Sequence, residues 1–198
     1  AIIENNLSPN AVDAVIPIAK RLPVITEYFI HGKAYIAKSV YENLSPYGLT
    51  ESHVRYILNS RTPVENFWEK MQKSHAILEN INLIFRDMDL RKQVWAEMRA
   101  LGLCAVTAST PENIEITSPL ATKAKALETL CALLGIEAEH VLAMGDSDND
   151  LPMLEFAGIG VAMANGEAHI KAAADMIAED CNHFGAAKIL EQLLKERA

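Results

Sequence analysis

The loop from Gly145 to Asp150, which reads GDSDND, combines residue types and a spacing that suit chemistry at a metal ion. Its three carboxylates, on Asp146, Asp148 and Asp150, would repel one another unless a cation, an outward orientation or protonation relieved them. Oxygen ligands from a turn suit Mg²⁺, which usually takes one or two carboxylates together with waters and a phosphate. The loop therefore predicts a divalent metal site beside a phosphate.

Strict alternation of helix and strand surrounds this loop from Ser118-Pro119 onward, which is typical of a doubly wound parallel sheet. The apolar segment 141–144 that precedes the loop predicts a strand buried on both faces. Leucines at 127, 130, 133 and 134 are expected to face inward from the helix before it. The predicted elements are helix 124–134, strand 141–144, helix 149–157, strand 159–163, helix 167–174, strand 176–178 and helix 184–197.

Helices in such units run antiparallel to their strands, so Lys123, Asp146 and Asn165 are expected to meet at the carboxyl edge of the sheet. Lys123 would offer a compact positive charge to phosphoryl oxygens. Asp146 leaves its strand directly and is the best candidate for a metal ligand. Asp150, one helical turn later, is expected to reach the same ion or its waters. Asp148 is expected to face solvent or to cap the following helix.

Other interpretations of these residues exist. A calcium loop of the EF-hand kind is excluded, because Leu151 occupies its glycine position and Ala157 the position of its bidentate glutamate. An acidic turn with a purely structural role remains open. Asn165, which precedes Gly166, is either a turn former or a ligand contact. Lys123 on its own would be an ordinary solvated lysine.

The first 115 or so residues follow a different pattern, that of a mixed α+β unit. A helix is predicted after Ser8-Pro9, a hairpin around His31-Gly32-Lys33, and two helices that start at Thr50 and at Thr62-Pro63. Further predicted elements are strand 81–85, helix 89–101, strand 103–107 and strand 113–117.

Composition excludes several classes of protein. The 198 residues are 50% hydrophobic, as in globular proteins, and their net charge of -8 with no Lys/Arg cluster argues against a nucleic-acid partner. No apolar stretch approaches the roughly 20 residues that span a bilayer, so no membrane association is expected. Cys104, Cys131 and Cys181 lie in mainly apolar segments and are predicted to be buried free thiols in a reducing cytoplasm.

Three segments occur in an order that resembles a known family: EITSPLATKAKAL with Lys123, GDSDND, and AGIGVAMAN ending at Asn165. Together they resemble the C-terminal half of Cof-type phosphatases of the haloacid dehalogenase (HAD) superfamily. Lys123 matches the lysine motif of that family, and Gly145, Asp146, Asn149 and Asp150 match its GDxxND motif. Ala124 departs from the glycine that usually follows the lysine.

The resemblance implies an α/β fold, with the second half of a HAD-like doubly wound parallel-sheet core at 116–198 and an inserted α+β cap domain at 1–115. It implies hydrolysis of small phosphate monoesters, such as sugar phosphates, through a Mg²⁺-assisted aspartyl-phosphate intermediate. Lys123 would be catalytic, Asn149 and Asn165 would bind the phosphate, and Asp146 and Asp150 would bind the metal. The implied partner is a small phosphorylated metabolite, and a homo-oligomer is a candidate assembly. Candidate substrate contacts of the cap are Tyr28, His31, Lys33, Tyr35 and Arg86.

The family's nucleophile belongs to a DxDGT motif, which these 198 residues do not contain. Asp87-Met88-Asp89 follows an apolar segment, but it lacks the Gly-Thr pair and lies too close to Lys123 to leave room for a cap. We interpret Asp87 and Asp89 as caps of the helix that begins near Leu90.

Two hypotheses about the chain follow from the missing motif. In the first, the chain is part of a longer phosphatase and is inactive by itself, because it contains no carboxylate nucleophile. The apolar edge of strand 141–144 would then be exposed. The alternative is a non-catalytic protein with a partial HAD core that binds a phosphorylated ligand or a partner chain.

Overall fold

The computed structural model describes residues 4–196, which divide into two compact units, residues 4–121 and residues 122–196. The boundary predicted after residue 115 falls inside the strand Asn113–Thr117, which is paired with strands on both of its sides. The structural division lies after Ala121 instead. This strand completes the first sheet, and residues 118–121 belong to the same unit.

The first unit is an α+β unit, in agreement with the pattern of its sequence. Its helices are α1 (Pro9–Lys20), α2 (Lys38–Tyr41), α3 (Glu51–Ser60), α4 (Phe67–Lys73) and α5 (Met88–Ala100). Its strands are β1 (Ile25–Ile30), β2 (Lys33–Ala37), β3 (Arg61–Val64), β4 (Asn80–Ile84), β5 (Ala105–Thr107) and β6 (Asn113–Thr117). Single turns of 3-10 helix lie at Ser45–Tyr47 and His75–Ile77.

These strands form one sheet in the order β3-β2-β1-β4-β6-β5, antiparallel except between β2 and β3. Side chains alternate between its faces. On one face the apolar residues of β4 and β6 pack with α1, α4 and α5 into the main core, where burial of each aliphatic side chain contributes about 1.5–3 kcal/mol. The residues between them, such as Asn80, Asn82, Asn113 and Glu115, therefore face the other side.

The predicted hairpin is confirmed, with His31 and Gly32 between β1 and β2. Both turn residues have positive φ, 49° at His31 and 70° at Gly32. A two-residue turn of this kind matches the twist of antiparallel strands, and glycine adopts its second position at no steric cost.

The helix predicted to start at Thr62-Pro63 is wrong, since both residues belong to β3. This strand lies at the edge of the sheet and pairs in parallel with β2, placing Pro63 opposite Ile36. An edge strand tolerates proline because the absent N-H is not needed by a second neighbour. The helix begins later, at Phe67, after Asn66 in the left-handed conformation.

The second unit has the predicted alternation and a parallel sheet in the order β7-β8-β9. Its helices are α6 (Lys123–Leu134), α7 (Leu151–Phe156), α8 (Ala168–Ala173) and α9 (Gly185–Glu196). Its strands are β7 (Leu142–Gly145), β8 (Ile159–Met163) and β9 (Met176–Ala178), with 3-10 turns at Ala138–His140 and Cys181–His183. Within the described residues β7 is an edge strand, as expected from the sequence.

Two expectations about burial are wrong in this unit. Helix α6 buries Ala124 and Cys131, whereas Leu130, Leu133 and Leu134 are 48%, 61% and 62% exposed. Strand β7 is half-buried at Leu142 and Met144 rather than covered on both faces. The apolar character of the sequence identified these two elements correctly, but it did not indicate which face of each element is buried within the described residues.

The cysteines are free, but their burial differs from the prediction: Cys131 is buried, Cys104 is half-buried and Cys181 is exposed. Burial raises the pKa of the Cys104 thiol. Across residues 4–196, no helix combines the length and the apolar character that a membrane crossing requires.

Candidate functional site

The predicted site residues lie at the carboxyl edge of the sheet in the second unit. Strands β7 and β8 are parallel and in register from Leu142 opposite Ile159 to Gly145 opposite Ala162, so the loops that follow them leave the same edge. Helix α6 packs against α7, which follows the first of these loops, and begins at Lys123. The structure therefore brings Lys123, Asp146, Asp150 and Asn165 into one cluster.

Asp150 holds the loop closed. The residue is buried, with only 4% of its surface exposed. Its Oδ2 accepts hydrogen bonds from the backbone N-H groups of Asp146 and Ser147 at 3.0 and 3.2 Å. Oδ1 accepts a hydrogen bond from Lys123 Nζ at 2.5 Å, which neutralises the buried charge. Asp150 is thus engaged through both oxygens, and its predicted role as a metal ligand stays a prediction.

Gly145 makes this closure possible. A Cβ at this position would lie 2.3 Å from the Asp150 Cβ and 2.7 Å from its Oδ2, far inside van der Waals contact. Any side chain would push Asp150 away from the N-H groups that it accepts. The glycine of GDSDND is therefore required by the close approach of Asp150.

Asp146 is the half-buried carboxylate that remains without a cationic partner. Its Oδ2 accepts a hydrogen bond from Asn165 Nδ2 at 2.9 Å, and its Oδ1 accepts one from Ser147 Oγ at 3.2 Å. No Lys, Arg or His among residues 4–196 forms an ion pair with it. An anion oriented by neutral donors and left uncompensated is suited to receive a cation.

Asn149, in the same loop, carries an unsatisfied atom. Its Oδ1 is buried and has no hydrogen-bond partner, a state that costs about 1–3 kcal/mol in a folded protein. A phosphate oxygen would not relieve it, because both atoms are acceptors. A cation or a metal-bound water would relieve it, and the predicted contact of Asn149 with phosphate, for which the side-chain Nδ2 is the available donor, stays a prediction.

Asp148 is exposed and lies outside this cluster, as expected. Its Oδ1 hydrogen-bonds to Nε2 of His169 at 2.6 Å and does not cap α7. His169 was not singled out from the sequence, since no spacing links it to the loop. Ser147 was also missed, although its position between Asp146 and Asp148 placed it in the motif.

Asn165 lies in a turn, which is one of the two roles left open by the sequence, and its side chain contacts Asp146. The following Gly166 closes a turn by donating to the Met163 carbonyl at 2.8 Å, while the Asn165 side chain orients the carboxylate of Asp146. A Cβ at Gly166 would lie 3.0 Å from the backbone oxygen of Asp146, so the two loops approach closely here. The contact of Asn165 with a phosphate stays a prediction.

The cluster offers a cation on one side and an uncompensated carboxylate on the other. Lys123 Nζ has further N-H groups for an anion, and its side chain is half exposed. Within residues 4–196 no group of three or more His, Cys, Asp or Glu side chains could hold a metal ion by itself. A metal at Asp146 would thus need further oxygen ligands, such as water or a phosphate.

In the first unit, the predicted substrate contacts differ in exposure. Tyr28 is 3% exposed and packs into the main core, where it stacks on Tyr35 with ring centroids 5.1 Å apart. Burial, followed by the charge of Tyr35, raises the pKa of Tyr28. His31, Lys33 and Arg86 are exposed. Tyr28 is thereby excluded as a ligand contact.

Comparison with known proteins identifies relatives that match half of the chain or more. A family model described as haloacid dehalogenase-like hydrolase matches residues 1–190. A phosphoglycolate phosphatase of Methanosarcina acetivorans is 41% identical over 153 residues, which cover 71% of this chain and 67% of that protein. A 5-amino-6-(5-phospho-D-ribitylamino)uracil phosphatase of Bacillus subtilis is 40% identical over 104 residues, covering 52% of this chain and 42% of that protein.

Solved structures show the same fold. A haloacid dehalogenase-like hydrolase from Bacteroides thetaiotaomicron superposes with a TM-score of 0.74 at 25% identity, over 96% of this chain and 68% of that one. Another from B. subtilis superposes with a TM-score of 0.78 at 22% identity, over 95% and 72%. Among the curated relatives, the matched region spans 42% of the B. subtilis phosphatase and 49% of a phosphoglycolate phosphatase of Methanopyrus kandleri.

Proposed function

Because the chain belongs to the haloacid dehalogenase-like hydrolases, we propose that it forms part of a phosphatase that hydrolyses small phosphate monoesters. The observation that carries this proposal is the pairing of opposite charges at one sheet edge. Asp150 links Lys123 to Asp146. Its carboxylate accepts one hydrogen bond from the Lys123 ammonium group and one from the backbone N-H of Asp146, whose own carboxylate has no cationic partner. Phosphoryl transfer is catalysed mainly by such positioned charges.

The names of the relatives support small phosphorylated metabolites as the substrate class. Those relatives are called phosphatases of phosphoglycolate and of a phosphoribitylamino-uracil. The two compounds differ in size and in leaving group, so the names favour a phosphate monoester of a small molecule without selecting one. The net charge of -8 also disfavours a polyanionic partner such as nucleic acid.

Mg²⁺ fits the residues that are present. Asp146 supplies a carboxylate without a cationic partner, and Asn149 supplies a buried amide oxygen that lacks a donor. Both are hard oxygen ligands of the kind that Mg²⁺ prefers. When bound, the ion would supply positive charge to phosphoryl oxygens.

The side chains of the chain itself have separate duties in this proposal. Lys123 binds a phosphoryl oxygen with N-H groups that Asp150 leaves free, and Asp150 fixes the direction of the lysine. Asn165 prevents rotation of the Asp146 carboxylate by donating to one of its oxygens. Preorganised groups of this kind need no rearrangement when negative charge moves during the reaction.

The attacking carboxylate of an aspartyl-phosphate mechanism is not among these residues. The 198-residue sequence has no DxDGT motif, and Asp87 is engaged as the N-cap of α5, with Oδ1 accepting from the N-H groups of Asp89 and Leu90 at 2.9 and 3.0 Å. We expect no phosphatase turnover by this chain alone, because Lys123 and a metal ion provide no nucleophile.

A two-part experiment tests the proposal. Phosphate release from a panel of phosphate monoesters with Mg²⁺ is measured for the 198-residue chain and for a protein extended by the residues encoded upstream of Ala1. We expect activity only in the extended protein, with a loss of at least about a hundredfold in its Lys123→Ala and Asp146→Asn variants, since each removes a charge at the reacting phosphate.

Matched controls are available two positions along the chain from each substituted residue. Lys125→Ala removes an exposed lysine of α6 that pairs with Glu128, and Asp148→Asn changes the exposed aspartate of the same loop. Both should retain near-normal activity. Normal rates in Lys123→Ala and Asp146→Asn would contradict the assignment of the site. An extended protein that binds phosphorylated ligands without hydrolysing them would favour the non-catalytic alternative.

We also propose a reducing cytoplasmic location. The free thiols of Cys104, Cys131 and Cys181 support this proposal. Fractionation of cells that produce the tagged native protein would test it directly.

A further inference from the structure

Lys171 is a half-buried lysine of α8 whose ammonium group contacts the backbone of the preceding loop. Its Nζ donates to the carbonyl of Ala164 at 3.2 Å. Carboxylates lie four positions away on each side, at Glu167 and Asp175. Neither forms an ion pair with Lys171 within residues 4–196, and Asp175 Oδ2 instead accepts the N-H of Gly160 at 2.8 Å. The contact with the carbonyl is therefore the polar contact of Lys171 that needs an explanation.

The carbonyl of Ala164 belongs to the turn that follows β8. The N-H of Gly166 donates to the carbonyl of Met163 at 2.8 Å, so Ala164 and Asn165 are the two central residues of this turn. The carbonyl that Lys171 contacts lies in the peptide group between these two residues. Turns of types I and II differ in the orientation of this one peptide group. Lys171 thus contacts the group whose rotation interconverts the two types.

The backbone at Asn165 shows which orientation is present. Asn165 is not among the non-glycine residues with positive φ in the described part of the chain, so its φ is negative. A type II turn requires positive φ at this position and is excluded. Asparagine tolerates positive φ better than most residues, so its own preference does little to prevent the rotation. The hydrogen bond from Lys171 favours the observed orientation.

This orientation matters for Asp146, because the turn lies directly against it. Asn165 Nδ2 donates to Asp146 Oδ2 at 2.9 Å, and the N-H of Glu167 donates to the Asp146 carbonyl at 3.4 Å. A Cβ at Gly166 would lie 3.0 Å from the same carbonyl oxygen, so the turn has little room to shift as a whole. Rotation of the central peptide would change φ of Asn165 and redirect its side chain. Asp146 would then lose the donor that orients its carboxylate.

We propose that Lys171 is a positioning residue, which holds the peptide group between Ala164 and Asn165 in one orientation and thereby keeps Asn165 on the carboxylate of Asp146. Lysine suits this task because its long stem reaches back from α8 to the loop and its head carries only donors. The effect on the turn is independent of the phosphatase proposal. The effect on catalysis rests on that proposal, since it acts through the charge of Asp146.

NMR of the 198-residue chain tests the effect on the turn. Lys171→Met keeps most of the aliphatic stem and removes the donors. The nuclear Overhauser effect between Hα of Ala164 and the N-H of Asn165 strengthens as such a turn rotates from type I towards type II. We expect this signal to increase in Lys171→Met, and the resonances of the Asn165 side-chain amide and of Asp146 to shift.

Three further variants separate positioning from folding. Lys171→Arg keeps a donor and should restore the wild-type signals, because either side chain can donate to a carbonyl. Lys188→Met removes an exposed lysine of α9 that pairs with Glu179, and as the control it should leave the turn unchanged. Lys171→Gln, with a shorter polar side chain, repeats the measurement if Lys171→Met does not fold.

A double variant of the extended protein tests the effect on catalysis. We expect Lys171→Met to lower kcat about fivefold or more at saturating Mg²⁺, because a small misplacement of a reacting group slows reactions strongly. Since Lys171 acts through Asn165, the double variant with Asn165→Ala should be no slower than Asn165→Ala alone. Additive losses would indicate that Lys171 acts independently of Asn165.

The two arms give separate answers. An unchanged turn in the folded Lys171 variants, unfolding of both Lys171→Met and Lys171→Gln, normal kcat in Lys171→Met, or additive losses in the double variant would overturn the proposal. A changed turn in an extended protein that releases no phosphate from any ester would leave the positioning of Asn165 by Lys171 supported and would refute the phosphatase proposal instead.

Discussion

At the scale of single residues, Asp150 and Asp148 differ sharply although they lie two positions apart. Asp150 is buried and accepts hydrogen bonds from two backbone N-H groups and from Lys123, whereas Asp148 is exposed and contacts only His169. We predict that Asp150→Ala destabilises the second unit by about 2–3 kcal/mol, because it leaves buried donors and a lysine without their acceptor.

Urea unfolding followed by circular dichroism measures this effect, with Asp148→Ala as the matched variant. That control should change stability by less than about 0.5 kcal/mol, as for an exposed residue. Equal effects of the two substitutions would show that Asp150 does not hold the loop in the way described.

Gly145 gives a second prediction at this scale. The Cβ of Gly145→Ala would lie 2.3 Å from the Asp150 Cβ, so the loop must shift and the acceptor is displaced from the Asp146 and Ser147 N-H groups. We expect amide resonances of residues 145–150 to move widely and stability to fall by more than about 1 kcal/mol. Gly102→Ala is a useful comparison, since its Cβ meets no atom within 4 Å and its φ of +64° alone carries the strain.

At the scale of elements, Asp87 links the sequence to helix α5. Its side chain accepts from two N-H groups of the first turn, as an N-cap does. We predict that Asp87→Ala costs about 1 kcal/mol of stability and leaves the activity of the extended protein unchanged. Asp89→Ala, which alters an exposed residue in the same turn, should have a smaller effect on urea unfolding. Loss of activity in Asp87→Ala with stability intact would contradict the assignment as a cap.

Sequence patterns located most elements, but they said less about what surrounds them. Strand 113–117 was predicted with the observed ends, because an alternating pattern determines the faces of a strand. Pro63 led to a wrong prediction of a helix start, because proline occurs both at helix starts and in edge strands. Only the pairing with the neighbouring strand β2 shows that Pro63 lies in an edge strand. The edge cluster of Lys123, Asp146 and Asn165 followed from parallel topology alone.

The polar face of the first sheet shows what the sequence could not provide. Asn80, Asn82 and Glu115 stand at alternate positions in their strands, which suggests a solvated face rather than a buried network. Their partners, such as Glu27 and Arg61, come from other strands, so the register between strands must be known before the hydrogen bonds can be assigned. For the same reason the unpartnered oxygens of Asn80 and Asn149 were invisible in the sequence.

At the scale of the whole molecule, we expect the apolar surface of α6 to promote association of this chain in solution. Leu130, Leu133 and Leu134 have helical spacing on one face and are each about half or more exposed. Exposed apolar faces of this kind promote association. We predict concentration-dependent self-association of the 198-residue chain, which the double substitution L130K/L134K should reduce, as measured by sedimentation velocity. This behaviour is also the test of the homo-oligomer that the sequence left as a candidate.

Ala132→Lys adds one positive charge to α6, half of what L130K/L134K adds, at an exposed position off this row of leucines, and it should leave self-association largely unchanged. If both variants dissociate equally, net charge rather than the leucine face controls association, because added lysines also reduce the charge of -8. If neither dissociates, the association involves another surface, for which the edge of β7 is the next candidate, since an unpaired strand edge can pair with another chain. A chain that stays monomeric at all concentrations would mean that these leucines are tolerated as isolated surface residues.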